Sequence, residues 1–190
     1  MERLIETLTN RVQLSAVELD FLRKTAFIRK ASKGELLLSE GEVSKAFYFI
    51  EKGCVRLFYL ADGEEKTAFF YTEGMFVSSY ESFTKGKPAQ HNLAAVEPCE
   101  FVVFHQNDVE KYLGFSPKFE ALARIMMEEE LSVYQSMISS FVTMNAEERY
   151  LKLLENQPAL ADRIPQYQLA TYLGVSAETL SRIRKRIVSK

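Results

Sequence analysis

The 190 residues are 47% hydrophobic and 26% charged, with a net charge of −2, which excludes the low-hydrophobicity, high-charge regime of disordered chains. There is no run of about 18 apolar residues, and the opening Met1-Glu2-Arg3-Leu4-Ile5-Glu6 lacks a basic stretch leading into an apolar one, so neither a membrane span nor an export signal is expected and the expected location is cytoplasmic. The near-neutral total hides an asymmetry: from Arg163 onward six basic residues face a single acid, giving +5, while the rest of the chain carries −7. An acidic body with one basic module is the distribution expected when a small part of a protein faces phosphate.

In chain order, the first legible element is a helix over about Ser15 to Lys24. Ser15 stands three residues before Glu18, the spacing of a capping box, and the helix is expected to lie on the following sheet as a lid. Six of the eight glycines then fall between Gly34 and Gly86, at Gly34, Gly41, Gly53, Gly63, Gly74 and Gly86, the turn rhythm of a compact β unit. Runs rich in β-branched and aromatic residues lie between and after them: Glu35–Leu38, Ala46–Ile50, Val55–Leu60, Lys66–Tyr71, Asn92–Val96 and Glu100–His105. Asp62-Gly63 is a hairpin signal, because both residues tolerate the positive φ of a tight turn. Cys54 and Cys99 sit singly inside strand-like runs and read as buried thiols rather than a disulfide.

After Pro117 the period changes to that of a helix. Phe119, Leu122, Ile125, Met126, Val133, Met137, Ile138 and Phe141 recur over some 25 residues. A helix of about 37 Å is longer than a small domain buries alone, so Phe119, Leu122, Met126, Val133 and Met137 are expected to form a seam with a second copy. Asn145 with Glu148 forms another capping box, Gln157-Pro158 ends that helix, and Pro165 starts the next.

The segment Gln166 to Ile187 has the spacing of a helix-turn-helix. Leu169, Ala170 and Leu173 give the first helix an inward face, Gly174 supplies a left-handed stop, Val175 plugs the turn and Ser176 caps the second helix. Leu180, Ile183 and Ile187 form its inward stripe, leaving Ala177, Glu178, Ser181, Arg182 and Lys185 outward. That face suits a DNA major groove: Arg182 can offer a bidentate fork to guanine and Glu178 can accept from a cytosine amine. Ser176, Thr179, Arg184, Lys185 and Arg186 suit phosphates. The chain does not run far past Ile187, so a wing is expected before the motif, near Asp162 to Pro165.

Taken together, Gly34-Glu35-Leu36-Leu37-Leu38, Glu40-Gly41-Glu42, Tyr48 to Leu57, Glu73-Gly74-Met75-Phe76 and Leu173 to Arg182 resemble the cyclic-AMP receptor and fumarate-nitrate regulator (Crp/Fnr) family of bacterial transcription factors over nearly the whole chain. The resemblance implies an α+β fold with three parts. Residues 1–115 would form a β-roll, a double-stranded β-helix of the cyclic-nucleotide-binding type; residues 116–144 a dimerisation helix; and residues 145–190 a winged helix-turn-helix. It further implies a homodimer on double-stranded DNA with a roughly palindromic operator, with RNA polymerase as a further partner and no role for a membrane. In the recognition helix Glu178 and Arg182 match the family's glutamate and second arginine, while Ala177 replaces its first arginine, so the operator should be related but altered.

Family members that bind a cyclic nucleotide hold it after the last roll glycine, with a glutamate on the ribose and an arginine on the phosphate. Here those positions fall at Ser79 and at Ala89 or Gln90, so both charged contacts are missing. Glu81 lies two residues late and Lys87 would have to reach in from the loop. Cyclic-nucleotide control is therefore not expected. A pocket for another small effector, involving Ser78, Ser79, Tyr80, Gln90, His91, Tyr134 and Gln135, and a pocket without ligand both stay open, and Tyr134 is suited to filling the space. Two cysteines are too few for an iron-sulfur cluster, and His91 and His105 are lone histidines rather than a haem site. No nucleophile-base pairing or metal-ligand cluster is legible, so no enzyme is expected. The alternative to a DNA reader is a β-roll signalling module that regulates a protein partner.

Overall fold

The computed structural model describes residues 1–188 and divides the chain into two compact units. The first comprises Met1–Leu57 and Phe70–Glu130; the second comprises Phe58–Phe69 and the chain from Leu131 onward. The last two residues of the segment expected to bind DNA, 189 and 190, lie outside the described residues.

Helices α1 (Glu2–Thr9) and α2 (Ala16–Thr25) precede strands β1 (Phe27–Ala31), β2 (Leu36–Leu38), β3 (Ala46–Lys52), β4 (Val55–Ala61), β5 (Glu64–Tyr71) and β6 (Phe76–Val77). A short helix α3 (Tyr80–Lys85) leads to β7 (Asn92–Ala95) and β8 (Cys99–His105), followed by α4 (Gln106–Phe115) and α5 (Pro117–Thr143). The strands form two four-stranded sheets, ordered β1-β8-β3-β6 and β2-β7-β4-β5. In the first, β8 lies antiparallel between β1 and β3, with Tyr48 opposite Val103 and Phe49 opposite Val102. Strand periodicity of two sends Phe49, Val102 and Phe104 to one face. There they join Leu4, Leu8, Leu22, Tyr112, Phe119 and Leu122 in a single apolar cluster.

The lid expected of α2 is present, and α1, α4 and the start of α5 share it. Ser15 and Glu18 close the expected capping box. Glu18 also accepts from Ser116 Oγ at 2.5 Å and Lys118 Nζ at 3.0 Å, tying the start of α2 to the start of α5. These hydrogen bonds, the one from Ser116 strongest, hold the Glu18 carboxyl down at about 2. Phe119 and Leu122 therefore do not belong to a seam with a second copy: they are 7% and 3% exposed in the chain's own core. The Phe119 ring packs against Phe21 of α2 and against Tyr112 and Phe115 of α4.

Both cysteines are buried and neither forms a disulfide. Burial pushes the Cys99 thiol up to about 11, which leaves it protonated and unreactive.

In the second unit the hairpin turns at Asp62 and Gly63, with φ of 54° and 78°, the pair of positive values that a two-residue hairpin turn requires. Helices α6 (Ala146–Asn156), α7 (Leu160–Arg163), α8 (Gln166–Tyr172) and α9 (Ala177–Val188) surround a core of Tyr150, Leu153, Leu160, Ile164, Leu169, Leu173, Leu180 and Ile183. Asn145 caps α6 through the expected box with Glu148. The wing expected near Asp162 to Pro165 is not formed there. Leu160, Ala161 and Ile164 are buried together, a spacing that one helical turn satisfies and a strand does not. Among the described residues no strand follows β8.

Candidate nucleic-acid interface

The turn between α8 and α9 is built by backbone bonds that its sequence permits. Gly174 N–H donates to Thr171 O and Val175 N–H to Ala170 O, both at 3.0 Å, the paired bonds of a Schellman motif. Gly174 holds φ +71°, where a β-carbon would be strained. Ser176 Oγ then accepts from Thr179 N–H at 3.2 Å and opens α9. Gln166 Nε2 reaches Ala177 O at 3.3 Å, joining the start of α8 to the start of α9. Leu169, Ala170, Leu173, Leu180 and Ile183 are all buried, so the inward stripe is as expected, with Ile187 half-buried.

On the outer side Ser176, Ala177, Glu178, Arg182 and Lys185 are exposed, and Thr179 and Ser181 are half-buried. Arg182 Nη2 donates to Thr179 Oγ1 at 3.2 Å, and Thr179 Oγ1 lies 3.0 Å from Ser176 Oγ. Ser176 Oγ is the donor in the second bond, so Thr179 Oγ1 accepts from both, one on each lone pair. Arg186 Nη1 is held by Glu147 Oε2 at 2.7 Å, which ties α9 to α6 and occupies one of the cations assigned to phosphate.

The residues assigned to an effector pocket fall in both units. In the first, Ser79 is 3% exposed and precedes α3, Ser78 and His91 are half-buried, and Tyr80 and Gln90 are exposed. Burial lowers the His91 pKa, which favours the neutral ring. In the second unit Tyr134 is half-buried with its ring edge-on to Phe69 at 5.8 Å, and Gln135 is exposed. A cavity of about 570 Å³ in the roll lies elsewhere, lined by Leu37, Leu38, Val43, Ala46, Tyr48 and His105 among others. None of the assigned residues lines it.

Residues 28–114 match the cyclic nucleotide-binding domain family. Solved structures of similar fold span both units. FixK2 from Bradyrhizobium japonicum superposes with a TM-score of 0.75 at 20% identity, over 87% of this chain and 85% of that one. The chain has the Crp/Fnr fold. The c-di-GMP responsive global regulator CLP of Xanthomonas campestris gives a TM-score of 0.73 at 15% identity over 92% of each chain. The catabolite activator protein of Thermus thermophilus gives 0.59 at 22% identity, over 96% of this chain and 87% of that one. No curated protein matches the sequence.

At the position that the resemblance assigns to the cyclic phosphate, Ala89 or Gln90, the side chain carries no charge. A buried phosphate needs a cation and several donors to offset its desolvation. Ala89 presents a buried methyl instead, and its N–H and C=O are bonded to Glu42 O and Gly41 N–H, both at 2.8 Å. The two nearby charges do not step in, because Lys87 Nζ binds Glu81 Oε1 at 3.1 Å with both side chains more than half exposed. That pairing, with Lys85, lowers the Glu81 pKa and leaves a surface ion cluster.

One residue that the sequence reading passed over stands out in the second unit. Arg149 of α6 donates to Met144 O at 2.6 Å and Leu173 O at 2.7 Å, and stacks over Phe141 with its guanidinium carbon 4.6 Å from the ring centre. Its sequence signal was a cation in the first turn of a helix, where the dipole disfavours it.

Proposed function

We propose that the chain is a DNA-binding transcription regulator of the Crp/Fnr type, acting as a homodimer on a roughly palindromic operator and not controlled by cyclic AMP. The observation that carries this reading is the outward face of α9, where Glu178, Arg182 and Lys185 stand on a helix whose opposite stripe is locked in the core. In this reading Arg182 and Glu178 read base edges, Ser176 and Lys185 hold phosphate, and Ala177 shifts the preferred half-site away from that of relatives carrying arginine. Residues 1–115 serve as the roll, 116–144 dimerise and 145–190 bind DNA. RNA polymerase is the machinery such binding would recruit or exclude.

Dimerisation is supported by the exposed apolar residues of α5. Met127, Leu131 and Ile138 are 46%, 57% and 60% exposed, and with Tyr134 and Phe141 they follow alternating steps of four and three residues, the period of a coiled-coil seam. This seam is shifted from the one expected at Phe119 and Leu122. Two-fold symmetry would place the recognition helices in successive major grooves about 34 Å apart.

The test is selection of bound fragments from genomic DNA, followed by mobility shift with wild type and Arg182→Ala. Loss of one bidentate base contact should weaken the selected site by about 1–3 kcal/mol, roughly 5- to 150-fold, and relax preference at one position. Unchanged binding of Arg182→Ala to every fragment would remove the DNA-reading assignment.

A further inference from the structure

Arg149 is the fourth residue after the α6 cap Asn145, a place where the helix dipole opposes a cation. Its surroundings explain the choice. Met144 continues α5, its N–H donating to Ser140 O at 3.1 Å, so Met144 O lies at the carboxyl end of that helix, where α5 itself offers no further turn to donate to it. Leu173 is the carboxyl cap of α8, with its N–H on Leu169 O at 3.0 Å. One guanidinium thus caps the negative ends of two helices through charged bonds of 2.6 and 2.7 Å. The Phe141 ring supports it from α5, and the turn residue Gly174 passes so close that a β-carbon there would sit 3.4 Å from the Phe141 ring and 3.7 Å from Arg149 Nη2. The end of α5, the start of α6 and the turn of the helix-turn-helix therefore meet at one side chain. A two-residue joint, Met144-Asn145, that would otherwise swivel is held from both sides.

We propose that Arg149 is a positioning residue for DNA reading: it sets the angle at which the helix-turn-helix leaves the carboxyl end of α5, and so the half-site spacing that a dimer accepts. The inference rests on the reading of the chain as a dimeric DNA binder. It assigns spacing to Arg149 and base identity to Arg182 and Glu178, two properties that separate experimentally. Arg149→Met keeps an apolar stem against Phe141 and removes both carbonyl bonds, while Arg149→Lys keeps the charge but loses the planar two-nitrogen fork.

The experiment uses the full chain and the operator selected by wild type, together with versions carrying one base pair more or fewer between half-sites and a duplex with one half-site scrambled. Arg149→Met should bind the single half-site duplex within twofold of wild type, while its preference for native over altered spacing falls at least fivefold, with Arg149→Lys between. An equal loss on all four duplexes would mean that Arg149 only stabilises the fold or touches phosphate, and an unchanged spacing preference would equally overturn the proposal. Amide hydrogen exchange without DNA supplies an independent reading. Exchange at residues 144–148 and 173–175 should quicken at least tenfold in Arg149→Met with core amides of α9 unchanged. No local change there would overturn the clamp whatever the DNA result. Failure of wild type to select any DNA would instead count against the proposed function.

Discussion

At the scale of single residues, hydrogen-bond direction separates groups that the sequence treats alike. Thr179 and Ser176 both suit phosphate by composition, yet Thr179 Oγ1 is the acceptor for both Arg182 Nη2 and the Ser176 hydroxyl. Thr179→Val keeps the β-branched shape and removes that acceptor. We expect it to lower discrimination at the base read by Arg182 while leaving non-specific affinity and the salt slope unchanged, whereas loss of a phosphate contact would reduce binding to all sequences and flatten the slope. Competition mobility shifts across salt concentration measure both. Glu18 carries a second prediction. Its carboxyl ionises at about 2 in the folded chain against an ordinary 4.5, so the folded state binds fewer protons and stability rises with pH through that window. Its contribution is complete above about 4.5 and is lost as pH falls toward 2. Urea midpoints of wild type and Glu18→Gln should therefore differ most at pH 6 and converge by pH 2. A gap independent of pH would show that the charge is not what ties α2 to α5.

At the scale of elements, α5 divides its apolar residues between two duties. Leu122, in the core cluster, should destabilise the fold by about 2–5 kcal/mol when cut to alanine, read from chemical unfolding. Ile138, exposed on the same helix, should tolerate glutamate without loss of fold, yet sedimentation of Ile138→Glu should show a monomer where wild type is a dimer. Helical period alone put Phe119 and Leu122 in the intermolecular seam, because it identifies an apolar face without saying what covers that face. Phe119 is covered by Phe21 of α2 and by Tyr112 and Phe115 of α4. Elements bounded by local chemistry were legible to within a residue or two. Both capping boxes formed, Gly174 stopped α8 and Asp62-Gly63 turned the hairpin. The wing was misplaced because it was inferred from chain length rather than from any strand pattern in residues 162–165.

At the scale of the whole molecule, the match of residues 28–114 to cyclic nucleotide-binding domains and the uncharged Ala89 and Gln90 at the position assigned to the phosphate pull in opposite directions. Calorimetry with cyclic AMP and cyclic GMP decides between them. We expect no heat of binding, and micromolar affinity for either would require Lys87 to leave Glu81 and turn inward. The sequence by itself determined a compact β unit, the long helix and the helix-turn-helix. Those features rest on turn glycines, caps and periodicities, each set by forces acting within a few residues along the chain. Only the tertiary structure decided which side of α5 is core, that Glu81 and Lys87 neutralise each other, and that Arg149 bridges Met144 and Leu173. Each of these depends on which groups packing brings within about 3 Å, where charge and hydrogen bonding become strong enough to select a partner.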